Sequence, residues 1–238
     1  MTKMMIIRHT KIAIFMHWFN AICWFFLSAT GLGLIKNEYI DPIGEWWPDL
    51  MRNIFGGGEI LLKAHVIIGF VWVVVFLVFS VVRLKKEVNS FFREIFSFTP
   101  ARDILWLLKK GIQMTMGYKM LERFGFEPRL PEQGFYNVGQ KLFAIPSIIG
   151  GIVIVVTGII MYSSKYAIID PGLVQWSILI HFVMAGFVFA GLLIHIYMAA
   201  IAAGELPALI SMFTGNVPAE HAEHHHKLWY DEIKKDKN

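Results

Sequence analysis

Apolar residues fall into four runs, separated by stretches where polar and charged residues return. The runs are Ile12–Ile35, Ile60–Val82, Leu142–Ser163 and Trp176–Ala203. Each holds about 20 residues or more, the length at which a helix crosses a hydrocarbon core of ~30 Å. They are apolar on every face, whereas a surface helix of a soluble protein keeps a polar face. The pattern therefore predicts four transmembrane helices in a single all-α domain over 1–238, with a long loop at 83–141 and a tail at 204–238. Four buried helices of a soluble protein are the competing reading, and the missing polar faces speak against it.

The segment between the second and third runs has a pattern of its own. Thr99-Pro100, with Asp103 close behind, reads as a capped helix start. Ile104, Leu105, Leu107, Leu108 and Ile112 then line one face beside Arg102, Lys109 and Lys110. Such a face suits a helix lying on a membrane surface or one docked on its own protein, and both stay open. No internal repeat or low-complexity tract is evident. At the N-terminus, Lys3, Arg8 and Lys11 form a basic flank. The run after them is too long for a signal peptide and lacks a small-residue cleavage site, so it reads as a retained span.

Composition agrees with the runs. Hydrophobic residues make up 56% of the chain and charged residues 17%, against roughly 25% charged in soluble domains. Disorder, a nucleic-acid-binding arm and a disulfide scaffold are poor fits. Cys23 is the single cysteine. There is thus no internal disulfide, no iron–sulfur cluster held by this chain alone and no covalent c-type haem attachment.

Lysine and arginine give the spans a direction. The N-terminal tail, the segment from Arg83 to Lys141 and the C-terminal tail hold 18 of the 22. The opposite connections and helix ends hold four: Lys36, Arg52, Lys63 and Lys165. The positive-inside rule then places both termini and the long loop in the cytoplasm of a bacterial cell with a multi-pass inner-membrane protein. The first outer loop carries Glu38, Asp41, Glu45, Asp49 and Glu59, with Trp46-Trp47 and Gly56-Gly57-Gly58. It suits either a partner subunit or a cap over the helix ends.

Four of the nine histidines lie inside the spans: His17, His65, His181 and His195. Ionisable groups at membrane depth are costly and point to function. By depth they sort into an inner pair, His17 with His195, and an outer pair, His65 with His181. The fourteen residues between His181 and His195 correspond to ~21 Å of helix, and they return to within about 40° of the starting direction. Both rings thus face one side of one helix at two depths, as two bis-histidine b-type haems stacked across a bilayer require. Gly69 and Gly191 each lie four residues from a histidine, on its face, and are expected to leave room for a porphyrin edge. Close helix packing is the alternative use of such glycines. Zinc fits less well, since the pairs lie in different leaflets with no cysteine or carboxylate beside them. His221, His224, His225 and His226 could bind a metal, but read rather as a solvated tail or a partner contact.

These residues resemble the membrane cytochrome b (gamma) subunit of respiratory formate dehydrogenases, within the broader group that includes the cytochrome b subunits of nickel–iron hydrogenases. The carriers are His17-Trp18, His65, and His181 with His195 at their fourteen-residue spacing. Others are Tyr136-Asn137-Val138-Gly139-Gln140-Lys141 and the tail His225-His226-Lys227-Leu228-Trp229-Tyr230-Asp231-Glu232-Ile233. The two stretches are the more specific to the formate dehydrogenase branch. In the four positions before His17, where relatives often carry a charge, this chain has Ala13, Ile14, Phe15 and Met16.

The resemblance implies two b haems with the pairing that depth gives. It implies reduction of menaquinone or another quinone beside the inner haem, with Asn137 at the quinone head-group and Gly139, Gln140 and His195 as neighbours. An amide can hydrogen-bond a quinone oxygen in either redox state. A cap on the third helix is the other use of that stretch. Implied partners are an iron–sulfur (beta) subunit and a molybdenum or tungsten catalytic (alpha) subunit, which would oxidise formate. A hydrogenase cytochrome b subunit would use the same histidines with another donor. A small membrane transporter or structural anchor is the reading from a different class.

Overall fold

A computed structural model describes residues 4–202 and 204–235; Lys3, Ala203 and positions 236–238 of the tail lie outside the described residues. The elements run β1 (Met5–Ile7), α1 (Lys11–Gly33), α2 (Trp46–Phe55), α3 (Gly58–Val82), α4 (Asn89–Phe96), α5 (Pro100–Met116) and α6 (Tyr118–Arg123). They continue with α7 (Val138–Ser163), α8 (Pro171–Ile196), α9 (Leu206–Thr214), β2 (Asn216–Pro218), α10 (Ala219–His225) and α11 (Lys227–Lys235). Short π-helical turns follow α3 and α8.

Among the described residues, four helices are long and apolar enough to cross a membrane: α1, α3, α7, and α8 with its π-helical extension. Their surfaces explain why they need one. Ile67, Val74, Leu77 and Val81 of α3 are exposed, as are Ile152, Val156 and Ile159 of α7. Contiguous apolar surface on that scale belongs in lipid, not water. Two helices start well before their apolar runs. Helix α7 starts at Val138 rather than Leu142, because the polar Asn137–Lys141 stretch already forms its first turn. Helix α8 starts at Pro171, which is well suited to a first helical position.

The chain divides into two compact units. One comprises Lys11–Leu84 and Gly150–Ala190. In it, α2 covers the end of α1. Trp47 Nε1 donates to the Ala29 carbonyl at 3.0 Å and an Arg52 guanidinium nitrogen to the Ile35 carbonyl at 2.9 Å. These bonds tie α2 to the last turns of α1 and give the Ile35 carbonyl, just past its end, a partner. Gly56, at φ 73°, ends α2 in the left-handed region, and Gly57 N–H returns to the Arg52 carbonyl at 2.8 Å. That turn sends the chain back into α3. Of the two uses open to the first loop, a helix cap is the one seen within this unit. Deeper in the same unit, Trp72 Nε1 donates to Asn20 Oδ1 at 2.8 Å, which satisfies both groups where water is absent. Gly150 lets α8 approach α7 closely: a Cβ there would stand 2.5 Å from Val188 Cγ2.

The other unit comprises the residues up to Thr10, Lys85–Ile149 and the residues from Gly191 onward. Strands β1 and β2 pair antiparallel, with Ile6 opposite Val217. This ribbon is too short for the apolar pattern to announce. Ile6, Val217, Ala219, Ala222 and Tyr230 form a small core under it, with Trp229 and Ile233 at its margin. Helix α5 starts as its residues suggest, with Pro100 in the first turn, but the Thr99 side chain is not the cap. The buried Asp103 carboxylate accepts from Thr99 N–H at 2.8 Å and from Arg102 Nε at 3.0 Å. Helix α5 buries Asp103, Trp106 and Lys109, and leaves Ile104 and Leu108 exposed.

Candidate functional site

His65 is on α3 and His181 on α8, and the fold brings the two rings together. Their centroids are 6.4 Å apart, with the planes at 65°. A metal ion shared by two imidazoles, at about 2 Å from each nitrogen, needs ring centroids roughly 6–6.5 Å apart. The pair is therefore close enough for both rings to reach one metal ion.

Each ring is held from a neighbouring helix by a threonine. Thr30 Oγ1 on α1 lies 2.9 Å from His65 Nδ1, and Thr157 Oγ1 on α7 lies 3.1 Å from His181 Nδ1. Both hydroxyls also bond back along their own helices. Thr30 donates to the Phe26 carbonyl at 2.7 Å, with the Leu27 carbonyl at 3.3 Å. Thr157 donates to the Val153 carbonyl at 2.7 Å, with the Ile154 carbonyl at 3.1 Å. Thr30 and Thr157 are 1% and 6% exposed.

A glycine follows each threonine and makes room for the ring. A Cβ at Gly31 would meet His65 Cε1 at 3.3 Å, and one at Gly158 would meet His181 Cε1 at 3.4 Å. The two helix pairs thus use the same local device, a Thr-Gly dipeptide facing a histidine. It is a repeat two residues long, below what a search for repeated segments can register. Thr30, Gly31, Thr157 and Gly158 were not singled out by sequence reasoning. The recurring dipeptide near the C-terminal ends of the first and third spans was the available signal.

The glycines singled out earlier have their own neighbours. A Cβ at Gly191 would touch the Phe143 ring at an ordinary contact distance of 3.6 Å. A Cβ at Gly69 would meet only Leu27 at 3.9 Å. Spacing along one helix identifies a shared face but not which neighbour covers it.

His17 lies on α1, its ring edge-on to Trp18 at 5.3 Å. His195 lies on α8, flat against Phe143, with centroids 4.3 Å apart and planes at 7°. Asn137 and Gln140 form a reciprocal cap at the start of α7. Gln140 N–H donates to Asn137 Oδ1 at 2.9 Å, and Asn137 N–H to Gln140 Oε1 at 3.0 Å. This uses the side-chain oxygens; among the described residues the Asn137 amide N–H groups have no bonding partner. Gly139 lies against Trp106, which a Cβ would meet at 3.6 Å.

The stretch before α7 is held by both tails. Arg8 donates to the Phe135 carbonyl at 2.7 Å, and its guanidinium lies 4.7 Å from the Phe135 ring and 5.1 Å from the Trp229 ring. His226 Nδ1 bonds the Gly134 carbonyl at 2.8 Å, and Leu228 N–H the Gln133 carbonyl at 3.0 Å. Gln133 Oε1 in turn accepts from Val138 N–H at 3.1 Å.

The reading of the tail histidines as solvated is corrected for His221 and His226, which are buried. Burial, with Arg8 and the other tail histidines adding to it, pushes His221 and His225 down to about 4 and His226 well below its ordinary value. Burial also pushes the Tyr136 hydroxyl up to about 12 and Arg8 down to about 10.

Compared with known families, residues 8–215 match the model described as prokaryotic cytochrome b561. No curated protein matches the chain.

Proposed function

Because the chain belongs to the prokaryotic cytochrome b561 family, whose members bind b-type haem and carry electrons across the bacterial inner membrane, we propose that it is the cytochrome b subunit of a respiratory formate dehydrogenase. It takes electrons on the outer side from an iron–sulfur subunit, which a molybdenum or tungsten subunit supplies. It delivers them to menaquinone or another quinone on the cytoplasmic side.

The observation that carries this is the 6.4 Å separation of the His65 and His181 rings. The donor set fits haem: two imidazoles, cradled by glycines, with their Nδ1 atoms already engaged. His65 and His181 would hold an outer haem. His17 and His195 would hold an inner one, by their depth in the spans. When bound, the haems supply one-electron carriers, since their iron alternates between ferric and ferrous forms.

The remaining work falls to the chain's own residues. The spans exclude water around the histidines. Asn137, with Gly139, Gln140 and His195 as neighbours, would orient the quinone head-group, for which the free amide N–H groups of Asn137 suit a quinone oxygen. Protons for the quinol would then come from the cytoplasm. Electrons moving inward run against an interior-negative potential, about 2.3 kcal/mol per charge per 100 mV. The complex would thus store energy without a proton channel.

The test is a reduced-minus-oxidised spectrum of the purified chain with single histidine variants. His65→Ala and His181→Ala should remove the same haem, and His17→Ala and His195→Ala the other. Absence of b-type bands would sink the reading. The large subunit that co-purifies with the chain identifies the donor; a nickel–iron enzyme there would replace formate dehydrogenase in this account.

A further inference from the structure

Two buried threonines stand beside the paired histidines, and their hydroxyl protons are already committed. A backbone carbonyl can only accept. The 2.7 Å bonds from Thr30 to Phe26 and from Thr157 to Val153 therefore consume the one proton each hydroxyl has. What faces each histidine is an oxygen lone pair. The contacts at 2.9 and 3.1 Å can then be hydrogen bonds only if Nδ1 carries a proton and donates it. A neutral imidazole has one N–H, so Nε2 in both rings is left with a lone pair.

We propose that Thr30 and Thr157 are positioning residues that hold His65 and His181 as Nδ1–H tautomers and present Nε2 of each ring to a single iron. The proposal rests on the paired-histidine reading above and assigns two residues outside the ligand set. Each threonine acts on both orientation and electronics. It fixes the direction of the Nδ1–Cε1 edge, beside which Gly31 or Gly158 puts no side chain. An acceptor on Nδ1–H also raises the electron donation of the opposite nitrogen, as such partners do for other metal-bound histidines.

The two sites act in parallel. Both hydroxyls sit on helices that carry neither ligand, and both are shut off from solvent. Water cannot replace either one without opening the packing between helices. The device thus links the ligand geometry to the spacing of α1 from α3 and of α7 from α8.

The experiment compares Thr30→Val, Thr157→Val, the double variant and the two Thr→Ser variants in the full-length protein, with His65→Ala and His181→Ala alongside. The readouts are haem content, the low-spin ferric EPR signal and redox titration of each haem. The EPR signal depends on the angle between the two imidazole planes. Each valine variant should move the EPR signal and raise the midpoint potential of one haem, the same one that His65→Ala removes. The double variant should shift it further, and serine should restore both values. Val variants with unchanged potential and EPR signal overturn the proposal while leaving the haem assignment standing. If valine expels that haem, serine decides: retention with the original signal supports the proposal, and expulsion by serine as well overturns it. His65→Ala and His181→Ala removing different haems would instead defeat the paired-histidine reading itself.

Discussion

Phe143 lies flat on His195, with ring centroids 4.3 Å apart and planes within 7° of parallel. Gly191, one turn before His195, lies beside the same phenyl ring. Ring pairs of this kind contribute about 0.5–1.5 kcal/mol beyond area burial. Phe143→Ala should therefore loosen His195 and weaken retention of the haem it is proposed to hold by up to about tenfold. Haem content after dialysis against a haem scavenger measures this. Equal loss of both haems would show that Phe143 acts on general stability and not through His195.

Gly31 and Gly158 allow a graded test. A Cβ at 3.3–3.4 Å from the imidazole requires the ring to give by a few tenths of an ångström, whereas a branched side chain cannot be accommodated. Gly31→Ala and Gly158→Ala should keep the haem with a shifted EPR signal. Gly31→Val and Gly158→Val should lose it. Full haem content in the valine variants would refute the tight cradle.

Asn137 can be a helix cap, a quinone ligand or both, and two substitutions separate these. Asn137→Ala removes the cap oxygen and should lower stability by about 0.5–2 kcal/mol. Asn137→Asp keeps that oxygen but removes the N–H donors. If Asn137 binds quinone, the aspartate variant melts like the parent protein yet loses quinone reduction. Unchanged quinone reduction in the aspartate variant would leave the cap as its role.

The tail histidines give the docked C-terminal segment a pH dependence of known sign. Burial lowers the folded values of His221 and His225 to about 4, and holds His226 well below its ordinary value. The unfolded tail takes up protons first, near the ordinary histidine value of about 6.5. The stabilisation is therefore complete above that value and is lost as pH falls from about 6.5 toward 4. Hydrogen exchange in residues 219–230 should accelerate over this window. Replacing His226 with Gln should flatten the response. Exchange that is constant between pH 7 and 4.5 would contradict the account.

Gly150 meets Val188 with no room for a methyl group. Gly150→Ala should destabilise the detergent-solubilised protein by about 1–3 kcal/mol, and Val188→Ala in the same chain should recover most of it. Thermal unfolding of the four proteins of this cycle measures the coupling.

The four spans were legible because a helix in lipid shows its environment in its own residues. Ile67 and Leu77 are apolar and exposed for one reason, and neither needs a distant neighbour to explain it. The nearness of His65 to His181 was legible for a similar reason: relative depth follows from counting along the chain. The threonine supports were not. Thr30 and His65 are 35 positions apart and Thr157 and His181 are 24 apart, so nothing in either span alone marks them as neighbours. Gly191 and Gly69 drew attention because they share a helix face with a histidine, while Gly31 and Gly158 reach the rings from other helices. The buried tail was missed because histidine-rich, charged segments read as solvated. What buries it is a cluster formed by Arg8, Phe135 and Trp229, drawn from three separate parts of the chain.

The pairing of β1 with β2 also has a consequence for biosynthesis. Met5 to Ile7 leave the ribosome long before their partners, Asn216 to Pro218. At about 5–20 residues per second the first strand waits on the order of ten to forty seconds. Through that interval Arg8 has no docked tail beside it, and the Gln133–Phe135 segment lacks the contacts that later hold it. Closure of the ribbon is therefore a late step in assembly. A chain truncated before residue 216 should insert its four spans and still fail to order the stretch that begins α7.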